Sequence, residues 1–258
     1  MKTLITTLVV LGCVMAARAQ MHTEVVEYRD GDTVLEGYLA YDDSIIKGKR
    51  PGVLIVHQWK GLGDYEKKRA EMLAKLGYNV FAVDIYGKGI RPQDNKSAGA
   101  MSGKFKSNRD LLRRRVNVGL AVLQKHALTD TKRIAAIGYC FGGTTVIELA
   151  RSGADVAGVV SFHGGLDSPR SEDGGNIKCK VLALQGADDP FVPAKDIEAF
   201  EEEMRKAKVD WQFVKYGGAV HSFTDWDAHD DPKGALYNEK ADKRSWEEMK
   251  RFFGEIFQ

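Results

Sequence analysis

Short apolar runs alternate with amphipathic stretches along most of this chain. Pro51–His57, Asn79–Ile85, Arg133–Cys140, Val156–His163, Lys180–Gln185 and Trp211–Tyr216 have the length and composition of strands. Asp64–Leu76, Phe105–His126, Gly142–Arg151, Ala194–Ala207 and Asp242–Phe257 carry helical spacing instead. Ahead of them, Thr23–Arg29 and Val34–Tyr41 alternate around Asp30-Gly31-Asp32, which is a hairpin signal. Ile90–Lys104 and Gly164–Lys178 are polar and rich in turn formers, so both read as surface loops. Strands that alternate with helices predict an α/β class domain. It should have a mostly parallel central sheet, helices on both faces and an N-terminal β-hairpin. Functional residues should collect at the carboxyl ends of its strands. No repeat or linker divides residues 20–258, which read as one domain.

The first 19 residues break the pattern. Lys2 precedes a nearly unbroken apolar run, Leu4–Ala17, and Ala17-Arg18-Ala19 before Gln20 has the form of an A-x-A cleavage site. Residues 1–19 therefore read as a cleavable signal peptide, and the mature protein as exported, periplasmic or secreted. Val10-Leu11-Gly12-Cys13 loosely resembles a lipoprotein signal, but apolar sequence continues past Cys13, so anchoring there ranks second. No later segment is apolar enough for a stable membrane span. The formal charge is +2 and no basic stripe is interleaved with aromatics, which argues against a nucleic-acid partner. The densest basic cluster, Arg113-Arg114-Arg115 with Lys104, Lys106 and Arg109 ahead of it, reads as a solvated helix face.

Candidate chemistry centres on Gly138-Tyr139-Cys140-Phe141-Gly142-Gly143, where an apolar run passes directly into a helix-like segment. This is the form of a nucleophile elbow with cysteine as the nucleophile. Glycines at 138 and 142 allow close approach of strand and helix, and Gly143 is expected to loosen the first helical turn. The Cys140 sulfur would sit at a helix N-terminus, whose partial charge favours thiolate. The plain alternative is an inert buried cysteine before a glycine turn. A thiol nucleophile needs a base and an orienting acid, in the chain order nucleophile, acid, base. Asp189 and His221, each following a strand, meet that order; Asp188 competes with Asp189, and either could instead cap the next helix. Oxyanion donors should be the backbone N–H groups of Phe141 and of Trp59, in the loop after Val53–Val56. Once Cys13 is removed, Cys140 and Cys179 remain. They fall at opposite ends of their strands and read as two free thiols.

Together with Asp189-Pro190-Phe191-Val192-Pro193, His221-Ser222-Phe223, His57-Gln58-Trp59-Lys60-Gly61-Leu62 and the tail Ala241–Phe253, the elbow resembles the dienelactone hydrolase family of the α/β-hydrolase superfamily. The resemblance spans nearly all of the chain after the signal. It implies a Cys140–His221–Asp189 triad acting on a small-molecule ester or lactone, with no metal and no organic cofactor. Two positions depart from the family pattern. Gln58, a substrate-cleft residue, stands where the family has a glutamate that helps activate the thiol. Asp225 stands where it has an arginine that grips the substrate carboxylate. The departures predict a substrate other than the anionic dienelactone, with Arg91 a possible substitute near the cleft. They also keep open a redox-reactive thiol protein or an inactive ligand-binding scaffold. The sequence carries no signal for oligomeric state.

Overall fold

A computed structural model describes residues 21–258. The expected signal peptide and the Cys13 alternative both fall outside those residues. Eight strands form one sheet: β1 (Met21–Asp30), β2 (Thr33–Asp42), β3 (Arg50–Val56), β4 (Asn79–Val83), β5 (Thr129–Tyr139), β6 (Gly158–Phe162), β7 (Lys180–Gly186) and β8 (Trp211–Tyr216), in the order β1-β2-β4-β3-β5-β6-β7-β8. β1 and β2 are the expected hairpin, and β2 meets β4 antiparallel; every later pairing is parallel. The helices are α1 (Asp64–Ala74), α2 (Asn95–Lys106), α3 (Arg109–Lys125), α4 (Phe141–Arg151), α5 (Ala194–Ala207) and α6 (Glu239–Ile256).

The period-two rule explains how one sheet supports two cores. Along β3, Leu54 and Val56 join a core with α3, α4 and α5, while Val53 and Ile55 join another with α1 and α6. All four are fully buried, so β3 reads as an unbroken apolar run rather than an alternating one.

The structure corrects three expectations. Part of the expected Ile90–Lys104 loop is α2. Asp94 caps it by accepting the Ser97 N–H at 2.8 Å, and Ala98, Ser102 and Phe105 are buried. Its polar composition concealed a helical face only three residues wide. The expected Phe105–His126 helix is interrupted at Ser107-Asn108, because the Asn108 side chain accepts the Leu111 N–H at 3.0 Å and starts α3 afresh. The arginine cluster is not a solvated face. Arg113 pairs with Glu148 at 2.7 Å and Asp173 at 2.6 Å, Arg115 with Asp30 at 2.9 Å, and Arg109 with Asp167 at 2.5 Å. Arg114 alone of the three consecutive arginines is exposed. Beneath them, Arg151 is wholly buried and bonds Glu148 at 2.8 Å and Glu203 at 2.6 Å. Removing one partner from such a buried group costs about 3–5 kcal/mol, because the other charge is left unpaired.

Candidate active site

β5 pairs with β3 so that Gly138 lies beside Val56, and the chain then turns straight into α4. That turn forces Cys140 to φ 54° and ψ −113°, a conformation costly for a residue with a side chain. Packing holds it there. A Cβ on Gly138 would lie 2.0 Å from the Gly142 carbonyl oxygen, and one on Gly142 would lie 2.1 Å from that of Val56. Gly143 is there for close approach rather than for flexibility: a Cβ on it would come 2.7 Å from Ser161 Oγ. The Cys140 N–H is held by the Phe162 carbonyl at 3.0 Å and by His163 Nδ1 at 3.1 Å.

His221 follows β8. It is held in place by its own N–H to the Gly234 carbonyl and by the Leu236 N–H to its carbonyl, both at 3.0 Å. Its Nδ1 lies 2.8 Å from Asp189 Oδ2. Asp189 is itself fixed: Gln185 Nε2 donates to Oδ2 at 2.6 Å and the Phe191 N–H donates to Oδ1 at 2.8 Å. Asp188, the competing acid, turns away and accepts the Gly218 N–H at 3.0 Å. Burial alone would push the imidazole down. The charge of Cys140 and the hydrogen bond to Asp189 outweigh it and raise the ring to about 10.

Cys140, Phe141, His221, Trp59, Gln58 and Asp225 line one cleft of about 280 Å³. As the first residue of α4, Phe141 has an N–H without an intrahelical partner. The Trp59 N–H meets no acceptor among the described residues. The two departures from the family pattern touch each other: Gln58 Nε2 donates to Asp225 Oδ2 at 2.8 Å. A glutamate at 58 would face that carboxylate with like charge, whereas the amide satisfies it. Arg91 is not a cleft residue. Its guanidinium is spent on the backbone carbonyls of Leu62 and Ile90, at 2.5 and 2.8 Å.

Two wholly buried histidines that the sequence reading did not single out adjoin the cleft residues. His163 accepts the Cys140 N–H, so its proton sits on Nε2 and is donated to Thr224 Oγ1 at 2.8 Å. His57 donates from Nδ1 to the Gln58 carbonyl at 2.6 Å and accepts the Ile85 N–H at Nε2, at 3.2 Å. The available signal was their position, each directly after a strand. Cys179 is buried just before β7, away from the cleft, and burial pushes its thiol up to about 12. Among the described residues no cluster of three or more acidic, histidine or cysteine side chains could hold a metal ion, and no helix is long and apolar enough to cross a membrane.

A family model described as the dienelactone hydrolase family matches residues 35–257. A putative carboxymethylenebutenolidase of Synechocystis is 24% identical over 246 residues, covering 90% of this chain and 96% of its own. A probable 2-oxo-3-(5-oxofuran-2-ylidene)propanoate lactonase of Bradyrhizobium is 26% identical, over 79% of this chain and 86% of its own. Among solved structures, a dienelactone hydrolase-like promiscuous phosphotriesterase from metagenomic libraries superposes with a TM-score of 0.88 at 39% identity. It covers 92% of this chain and 99% of its own.

Proposed function

This chain belongs to the dienelactone hydrolase family, and from that premise we propose that it hydrolyses esters or lactones through a Cys140–His221–Asp189 triad and a thioester intermediate. The observation that carries the proposal is an imidazole bonded to a buried carboxylate at 2.8 Å in the same cleft that the elbow sulfur lines, with its proton affinity raised by both. Asp189 fixes the tautomer with the proton on Nδ1, leaving Nε2 to exchange a proton with sulfur.

The Cys140 thiolate attacks the carbonyl carbon. The Phe141 and Trp59 N–H groups stabilise the oxygen that takes up the electron pair. As the tetrahedral intermediate collapses, the carbon–oxygen bond to the leaving group breaks and the His221 imidazolium protonates the alkoxide. His221 then takes a proton from water, whose oxygen attacks the thioester. The acid leaves and the thiolate–imidazolium pair is restored.

The Gln58–Asp225 pair supports an uncharged acyl group in preference to the anionic dienelactone. The names of the relatives extend the reasonable panel to lactones and neutral phosphotriesters. The test is mass spectrometry after mixing the protein with an activated aryl ester. The expected result is steady turnover with a transient acyl mass on the Cys140 peptide. No adduct and no turnover across the panel, from protein with a titratable free thiol, would reject the proposal. Export belongs to the same proposal: N-terminal sequencing of the mature protein should begin near Gln20.

A further inference from the structure

The hydrolytic reading needs the Trp59 N–H aimed into the cleft, yet Trp59 lies in a loop that has neither helix nor strand to orient it. The relevant unit is the peptide joining Gln58 to Trp59, which is planar. Its carbonyl is that of Gln58 and its N–H is that of Trp59, and in a trans peptide the two point in opposite directions. Whatever grips the carbonyl therefore sets the direction of the N–H. The carbonyl has two donors, and the shorter contact is His57 Nδ1, at 2.6 Å from the Gln58 oxygen, against 3.2 Å for the Gly61 N–H across the turn.

The protonation of that ring follows from its partners. The Ile85 backbone N–H points at Nε2, and a backbone N–H can only donate, so Nε2 is the acceptor and the ring proton lies on Nδ1. His57 is fully buried; desolvation outweighs the nearby Asp84 carboxylate and keeps the ring neutral, pushed down to about 4. Its face stacks on Phe141, with centroids 5.7 Å apart and planes 24° apart, so one ring braces the residues that carry both expected oxyanion donors. The rest of the loop is tied down around this contact. Glu66 accepts the Gln58 N–H at 3.0 Å, and Tyr86 donates its hydroxyl to the Trp59 carbonyl at 2.9 Å.

We propose that His57 is a positioning residue: its Nδ1–H holds the Gln58–Trp59 peptide so that the Trp59 N–H faces the oxygen of a substrate carbonyl at Cys140. This rests on the hydrolytic reading above. It assigns His57 no contact with substrate and no proton transfer.

Two variants separate orientation from packing. His57→Asn can place an amide N–H where Nδ1 was, and His57→Gln can place an acceptor where Nε2 was while leaving the Gln58 carbonyl only the longer bond from the Gly61 N–H. The assays are kcat and KM for an activated aryl ester, the rate of iodoacetamide alkylation of Cys140, and Tm. Alkylation passes through no oxyanion, so it reports the thiolate alone. For His57→Gln the expected result is a kcat lowered about 100-fold, in line with the loss of one oxyanion donor or a misplacement of about 1 Å, with KM and alkylation rate within about threefold of the parent. His57→Asn should keep kcat within about fivefold. The proposal is overturned if His57→Gln keeps the parent kcat, if both variants lose kcat together in step with Tm, or if alkylation falls with kcat. A parent without ester turnover sinks the hydrolytic reading instead, before the variants are compared. Should either variant fail to fold, the parent still tests the orientation that the proposal requires. A trifluoromethyl ketone that adds to the Cys140 thiolate places its oxygen anion in the hole, and the Trp59 amide proton resonance should move strongly downfield. An unmoved Trp59 amide, with the adduct formed, would refute the proposal.

Discussion

His163 and His221 sit with ring centroids 5.2 Å apart, both largely shielded from water, and they titrate in opposite directions. His163 is bonded only by neutral groups, the Cys140 N–H and the Thr224 hydroxyl, and desolvation holds its pKa well below the ordinary value, with the nearby His221 adding to the effect. His221 faces a sulfur and a carboxylate, and rises to about 10. Burial is common to both; the charge of the partner decides the outcome. One ring can therefore serve as a fixed neutral acceptor while its neighbour moves protons, and neither role follows from the residue type.

The strongest way to break this contrast is to remove the charges that make it. Cys140→Ala and His221→Ala should each abolish aryl-ester turnover, by about 10⁴-fold or more, with the fold intact by circular dichroism. Asp189→Asn keeps the shape but not the charge, and should lower kcat by roughly 10²- to 10⁴-fold. Nuclear magnetic resonance titration of that variant should show the His221 transition moved down from about 10.

The sign of the pH dependence follows from the same shift. The native ring binds its proton more tightly than an unfolded histidine, whose ordinary pKa is about 6.5. The stability gained from His221 is therefore fully present below about pH 6.5 and is lost as pH rises towards about 10. Denaturant midpoints measured across that range should fall in the parent and fall less in Cys140→Ala, which lacks the sulfur charge. On the other side of the comparison, His163→Leu leaves the Thr224 hydroxyl without its ring partner. Tyr65 still bonds that hydroxyl and Phe162 the Cys140 N–H, so the change should cost only about 0.5–1.5 kcal/mol per lost bond in urea unfolding, with a smaller loss of kcat than any triad variant. The smallest expected effect lies at the cleft wall. Asp225→Asn should leave neutral esters almost unchanged while raising kcat/KM for a carboxylate-bearing ester about three- to thirtyfold, as one negative charge is removed at close range.

Much of this arrangement was legible in the chain. The alternation of apolar runs and helical patterns implied the sheet, because buried parallel strands need little beyond local composition to declare themselves. Gly138 and Gly142 announced the elbow, since only glycine fits where two backbones nearly touch. What escaped reading depends on contacts between distant residues. Sequence order favoured Asp189 over its neighbour Asp188, but the physical reason, that only the Asp189 carboxylate meets His221 while Asp188 accepts the Gly218 N–H, lies in the turn after β7. Gln58 and Asp225 looked like two separate losses until they proved to be 167 positions apart and hydrogen-bonded. α2 was missed for a related reason. Its Gly and Ser residues are poor helix formers, and burial of Ala98, Ser102 and Phe105 against the rest of the molecule overrides that preference.

Cys179 carries a further implication. Its thiol is pushed up to about 12 by burial, so near neutral pH it stays protonated and slow to react with electrophiles. Of the two cysteines among the described residues, a thiol-directed reagent applied to the folded protein should therefore label one, Cys140. Residues 21–258 can then be tagged, titrated or tethered to a surface at Cys140 without first engineering out Cys179.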